Sequence, residues 1–327
     1  MGEELIQQVI GVDPAGYRPH AVHSEERVWT ETNCYIDVWV EVLHSLGFDP
    51  LLGAAFTLSA DFDGRQWSFI KYPPEDLRHV YGIEVAELNV WNPVIDHVEE
   101  ELAAGRLLTV EVDAWFLPDT SGTSYRTSHT KTTIVPECLD RRGRRLGYFH
   151  NSGYHRLDGD DFVGVFRLEG FDDPNLLPPY VETIRLPVER LTDAEMGSAG
   201  RRRAAAHLAR RPGTNPVARL AAGVETELAR IAQRGLDYFH AYSFGTMRQC
   251  GATAELAAAH ARWLDRTGGF PDSPAAEAFE EVASALKQAQ FRLARAASGR
   301  TFDVVATFEP IAAAWERAIE GVAARHG

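Results

Sequence analysis

No run of apolar residues in this 327-residue chain approaches the roughly 18 that a membrane-spanning helix needs, so an integral helical membrane protein is not expected. The opening stretch, MGEELIQQVIGV, has neither a basic segment nor a small-residue cleavage site. Export is therefore not expected, and the chain reads as cytoplasmic. Cysteine is scarce: Cys34, Cys138 and Cys250 are odd in number and far apart, which excludes a disulfide framework and a zinc knuckle. Positive charge is short as well. With 33 Lys and Arg against 47 Asp and Glu, the net charge of −14 disfavours nucleic acid as a partner. No glycine-rich phosphate loop is present. His97 with Glu100 and Glu101, and the group Asp158, Asp160 and Asp161, lack a second ligand set, so no metal is expected. What remains is 45% hydrophobic and 24% charged, the balance of a globular protein.

The length suits two domains. Residues 1–187 alternate strand-like and helix-like segments, and 188–327 are rich in Ala, Arg, Glu and Leu. Between them DDPNLLPPYVETIRLP, with Pro174, Pro178, Pro179 and Pro187, reads as a linker. A stripe of Ile36, Trp39, Val40, Leu43 and Leu46 predicts a helix stopped by Gly47, and Cys34 stands at its start. AAFTLSADFDGRQWSFIKY predicts a hairpin about Asp63 and Gly64. Asn92 and Pro93 open a helix that runs to Gly105, and LLTVEVDAWFL alternates as a strand. SHTKTTIVPECL and RLGYFHNSGY predict an antiparallel hairpin turning near Gly143. The second half predicts helices over 188–211, 216–234, 236–247, 252–267, 274–298 and 303–325, with Asn215-Pro216 and Ser273-Pro274 as cap-then-proline starts. The fold class is α+β with an antiparallel sheet, followed by an all-helical C-terminal domain.

A thiol acts as a nucleophile in its thiolate form, which the positive end of a helix favours, and a neighbouring imidazole takes the proton. Cys34 has the helix start. A turn near residues 141 and 142 sets His129, at the start of one strand, beside Asn151 or a residue just after it, at the end of the next. Cys on a helix start, His on a strand and Asn on the following strand is the papain-like order. Asp113, on the polar face of its strand with Glu111, is the alternative partner for His129. His150 and His155 flank Asn151 and are candidates for substrate contact, while Cys138 and Cys250 read as structural.

The stretches NCYIDVWVEVLHSLGFDPLLGAAFTLS, VEVDAWFLPDTSGTSYRTSHTKTTIV and YFHNSGYHRLDG resemble the butirosin biosynthesis protein H family of papain-like acyltransferases, in a bacterial branch that accompanies amino acid:carrier-protein ligases. The resemblance implies a papain-like core. It also implies transfer of an acyl or aminoacyl group from the phosphopantetheine thioester of a carrier protein, through acyl-Cys34, to a small amine. His129 is then the base and no further cofactor is needed. Where papain-type proteases carry an oxyanion-binding Gln this chain has Val28, which leaves that task to Asn33, Thr32 and the backbone N–H of Cys34. The basic group Arg201, Arg202 and Arg203 is the candidate surface for an acidic carrier protein. Two other readings use the same residues: a cysteine peptidase or amidase, and a binding module in which Cys34 is only core.

Overall fold

The computed structural model describes residues 6–170, 177–270, 272–297 and 299–327. The chain forms two compact units, and each is discontinuous in sequence. The first comprises Met1–Ala21, Asn33–Pro50 and Pro74–Leu191; the second comprises Val22–Thr32, Leu51–Pro73 and Thr192–Gly327. The sequence reading gave 1–187 to one domain, whereas two early stretches join the helical unit. Among the described residues no helix is long and apolar enough to cross a membrane.

The first unit is α+β. Its strands are β1 (Gln7–Gln8), β2 (Glu84–Glu87), β3 (Leu107–Asp113), β4 (Lys131–Asp140), β5 (Arg145–His150), β6 (Gly153–Asp158) and β7 (Val181–Arg185). They pair antiparallel in the order β2-β7-β3-β4-β5-β6, with β1 on the far half of β4. In the β4–β5 hairpin Asp140 faces Arg145 and Ile134 faces His150, a register within the range expected for a turn at Gly143. A bulge between Pro136 and Cys138 interrupts it. Beside that bulge Glu137 is buried and accepts from Ile10 N and Gly11 N, both at 2.7 Å, and from the Tyr154 hydroxyl at 2.7 Å. Its carboxylate thereby ties the N-terminal segment to the sheet.

The helices of this unit are α1 (Cys34–Ser45), α2 (Pro74–Tyr81), α3 (Val94–Ala103) and α4 (Gly159–Val165). Asn33 caps α1, its Oδ1 accepting from Tyr35 N at 3.1 Å and Ile36 N at 3.0 Å. Gly47, with φ of 73°, ends it. The faces of the sheet follow from strand alternation. Thr109 faces Glu182 across β3 and β7, and Glu182 accepts from the Tyr35 hydroxyl of α1 at 2.7 Å. Thr183, one residue on and so on the opposite face, donates to Glu101 of α3. Helices α1 and α3 therefore cover opposite faces. His97 of α3 is buried, and its Nε2 accepts from Trp91 N and Asn92 N, both at 3.3 Å. Glu101 binds the Arg106 guanidinium, so these two side chains have structural work.

The second unit is helical: α5 (Asp193–Ala209), α6 (Pro216–Ser243), α7 (Gln249–Gly268), α8 (Pro274–Ala296) and α9 (Val304–His326), with a π turn at Phe244–Arg248. Both predicted cap-then-proline starts are present, Asn215 Oδ1 accepting from Val217 N at 2.9 Å and Ser273 Oγ from Ala276 N at 3.3 Å. The two early stretches belong here because of their tryptophans. Trp29 is buried, donates from its indole to Ala283 O at 3.0 Å, and packs on Gly251, where a Cβ would stand 2.6 Å from the ring. Trp67 is buried and donates to Thr253 Oγ1 at 3.1 Å.

Several expectations are corrected. Residues expected to form the first arm of the Asp63-Gly64 hairpin lie in a 3₁₀ helix, Pro50–Ser59, and only the bridge between Phe62 and Trp67 is strand-like. That segment is buried almost all round, so its apolar residues carry no period that separates strand from helix. The Pro-rich stretch read as a linker contains β7, an inner strand between β2 and β3; its residues 172–176 lie outside the described residues. Pro178 and Pro179 precede the strand and do not interrupt it. RLGYFHNSGY is two strands, since Asn151, with φ of 45°, makes the turn between β5 and β6. Helix α3 begins at Val94, with Pro93 and not Asn92 at its cap.

Candidate active site

Cys34 is the first residue of α1 and is half-buried. Its backbone N–H, in the first turn, has no acceptor within the helix. The thiol donates to Thr133 Oγ1 of β4 at 3.8 Å. Thr133 faces Glu111, and Lys131 faces Asp113. The ladder continues past the strand ends, because Ala114 N donates to Thr130 O at 2.9 Å. Trp115 and His129 then fall opposite each other, and their rings stack with centroids 4.6 Å apart and planes 13° apart. By alternation Thr133, Lys131 and His129 share the face that α1 covers, each step of two residues advancing roughly 7 Å.

His129 Nδ1 lies 2.6 Å from Asp113 Oδ2. A carboxylate only accepts, so Nδ1 carries the proton and, in the neutral ring, Nε2 is left to take one. Asp113, not Asn151, is the partner of the imidazole. Asn151 stands beyond His150, which faces Ile134, so the register carries it away from His129. No hydrogen bond joins Cys34 to His129 among the described residues. The imidazole is 70% exposed and, with Glu111, Asp113, Lys131, Arg167 and Tyr180, lines a cleft of about 380 Å³.

The remaining candidates separate. Asn33 spends its side-chain oxygen on capping α1. Thr32 falls in the second unit, where its carbonyl accepts from Gln249 Nε2 at 3.2 Å. His150 is buried, with Nε2 2.8 Å from Thr132 Oγ1 and Nδ1 on Asp119, so it offers no free nitrogen to a substrate. Asp119 also accepts from the Tyr148 hydroxyl. Burial alone would raise the Asp119 carboxyl, but the hydrogen bond and charge of His150, followed by His155 and Tyr148, hold it below the ordinary range. His155 is partly exposed, and burial lowers its imidazole. Arg201, Arg202 and Arg203 lie on α5, where Arg202 Nη1 donates to Ser198 Oγ at 2.7 Å.

Thr133 and Trp115 were not among the sequence candidates. Both were within reach of it: Trp115 lies two residues beyond Asp113 and Thr133 four beyond His129, the spacing that shares a strand face. Two other thiols are present, at Cys138 and Cys250. Burial, then Glu137, raises Cys138, and complete burial raises Cys250 further. Iodoacetamide at neutral pH is expected to label Cys34 ahead of both, as read by peptide mass mapping; equal labelling of Cys138 would remove Cys34 as the distinctive thiol.

No curated protein matches the chain. The DUF1839 N-terminal domain matches residues 18–186, which include Cys34, Asp113 and His129, and the DUF1839 C-terminal domain matches residues 193–324. The chain belongs to the DUF1839 family.

Proposed function

We propose that the protein is a cytoplasmic, papain-like cysteine acyltransferase. The observation that carries the reading is that Cys34 opens a helix on the same sheet face along which the Asp113-oriented imidazole of His129 lies. The resemblance to the butirosin biosynthesis protein H family supplies the substrate class. In the reaction the Cys34 thiolate attacks the carbonyl of a carrier-protein thioester. The tetrahedral intermediate collapses, and the pantetheine sulfur leaves with a proton from His129. An amine then attacks acyl-Cys34, gives its proton to Nε2, and the sulfur is released. Exchange between thioesters is close to isoenergetic and aminolysis runs downhill, so no nucleotide is consumed. The Cys34 N–H is the oxyanion donor this geometry offers. Arg201, Arg202 and Arg203 are the proposed docking surface for the acidic carrier.

In the free protein the thiol rests on Thr133 and not on the imidazole. Two strand steps, about 14 Å, separate Thr133 from His129, so this reading requires a rearrangement that brings the imidazole to the sulfur when substrate binds, more than the tightening of a hydrogen bond. The exposure of His129 favours a second reading, hydrolysis, since an open cleft admits water. Incubation with aminoacyl-loaded carrier protein, followed by intact mass measurement, tests both. The expected result is an acyl adduct on the wild type and none on Cys34→Ala. Added amine then yields the amide if the protein is a transferase, and free acid whatever the amine if it is a hydrolase. Absence of any adduct, or its persistence in Cys34→Ala, overturns both readings.

A further inference from the structure

We infer that the second unit binds a small organic phosphate in the cleft between the end of α8 and the start of α9. This stands independently of the Cys34 reading. Gly299, with φ of 84°, closes α8: its N–H donates to Ala296 O at 2.9 Å, and Arg300 N donates to Arg295 O at 3.2 Å. The second bond returns the chain to the helix end and sets Arg300 beside Arg295. Arg292 stands one turn earlier on α8. The three arginines, with Thr301, Phe302 and Asp303, line a cleft of about 560 Å³, within the size range of small-molecule sites.

All three arginines are exposed, and their guanidinium groups have no ion-pair, hydrogen-bond or ring partner among the described residues. Acids are not in short supply. The chain carries 47 Asp and Glu against 33 Lys and Arg, and in the same unit Arg262 pairs with Glu280, Arg317 with Glu281 and Arg325 with Asp265. Like charges one helical turn apart repel, and the carbonyl end of α8, with roughly half a negative charge, offsets only part of three cations. Asp303 is the one carboxylate of the lining among the described residues, and its Oδ1 accepts from Ala306 N at 2.9 Å. Three cations against one anion leave two positive charges facing the cleft. Each guanidinium presents five donors in a planar fork, more in sum than the two oxygens of a carboxylate can take up. A phosphate monoester brings three terminal oxygens and close to two negative charges, and it pairs with such forks bidentately. The exposed Thr301 hydroxyl, also without a partner among the described residues, adds a donor. Half-buried Phe302 gives the organic part an apolar wall.

The test is isothermal titration of the full chain with phenyl phosphate, benzoate and inorganic phosphate at about pH 7.5, where a phosphate monoester is mostly dianionic. One-to-one binding of phenyl phosphate is expected, with benzoate at least about tenfold weaker because it offers one charge and two oxygens. Inorganic phosphate is expected to bind more weakly than the ester, since it has no body to lie on Phe302. Arg295→Gln and Arg300→Gln break no side-chain contact among the described residues. Each is expected to weaken binding at least about fivefold with the melting midpoint kept, and the double variant to abolish it. Arg266→Gln, at an exposed arginine elsewhere in the unit, is expected to bind as the wild type. No binding of phenyl phosphate, equal affinity for benzoate, or unchanged binding by the double variant would each overturn the site. An equal loss in Arg266→Gln would overturn it in favour of diffuse charge, and equal affinity for inorganic phosphate would overturn the ester in favour of the free ion.

Discussion

Exchanging His129 for Gln is expected to slow formation of acyl-Cys34 by about 10² to 10⁴-fold, the usual range for loss of a positioned proton acceptor. Asp113→Asn is expected to cost a comparable factor while leaving the fold intact. An Asn at 113 can present its NH₂ to Nδ1, which stabilises the tautomer with the proton on Nε2 and so blocks the nitrogen that, in the proposed reaction, accepts from sulfur. Thr133→Val is the informative control. It removes the hydroxyl on which the thiol lies at 3.8 Å but no part of the proposed proton path, so its effect is expected to be much smaller. Quenched single-turnover mass spectrometry reads all three. If His129→Gln reacts as fast as the wild type, the imidazole has no part in the chemistry. If Thr133→Val is the slowest of the three, the hydroxyl and not the imidazole handles the thiol proton.

The largest expected effect on stability belongs to Asp119→Ala. That carboxylate is the buried acceptor of His150 and Tyr148, and its loss strands both donors on the sheet face opposite α1. At about 1 to 3 kcal/mol for each orphaned buried group, a loss of about 3 kcal/mol is expected, seen as a lower urea midpoint at neutral pH. Asp119→Asn, which keeps an acceptor, is expected to lose less. The pH dependence follows from the directions of the shifts. The folded Asp119 carboxyl lies below its unfolded value, near 3.9, so its contribution is complete above that pH and is lost as pH falls through the folded value. His155 is lowered, so below about pH 6.5 the unfolded chain takes up a proton before the folded one does, and stability declines with acidification. Asp119 also raises His155, and in Asp119→Ala that decline is expected to extend to lower pH. A midpoint unchanged by Asp119→Ala would show that the array holds nothing in place.

How much could be read before the fold depended on whether a signal was local. Helix α1 was legible because its apolar stripe and stop lie within twelve consecutive residues, Ile36 to Gly47, whereas Asn33, read as an oxyanion donor, is its cap. The β4–β5 register was legible from the turn at Gly143. The pairing of His129 with Asp113 was open from sequence, since Asn151 fitted the same chain order, and the register and the turn at Asn151 settle which one the ring meets. His150 read as a candidate for substrate contact because nothing in its neighbourhood announces that Asp119, 31 residues away, closes over it. Strand β7 read as a linker because the prolines before it dominate the local pattern. Membership of Trp29 and Trp67 in the helical unit had no local sign at all; it rests on Ala283 and Thr253.

That membership bears on how the protein is made. Trp29 leaves the ribosome 254 residues ahead of the carbonyl that its indole will bind, and Trp67 leads its hydroxyl acceptor by 186. Closing such long loops adds little entropy cost for each doubling of length, but it cannot begin until α7 has been synthesised for Trp67 and α8 for Trp29. Two aromatic anchors therefore wait, exposed, through most of translation. Severing the gene between the two halves would leave the helical part without its tryptophan pegs.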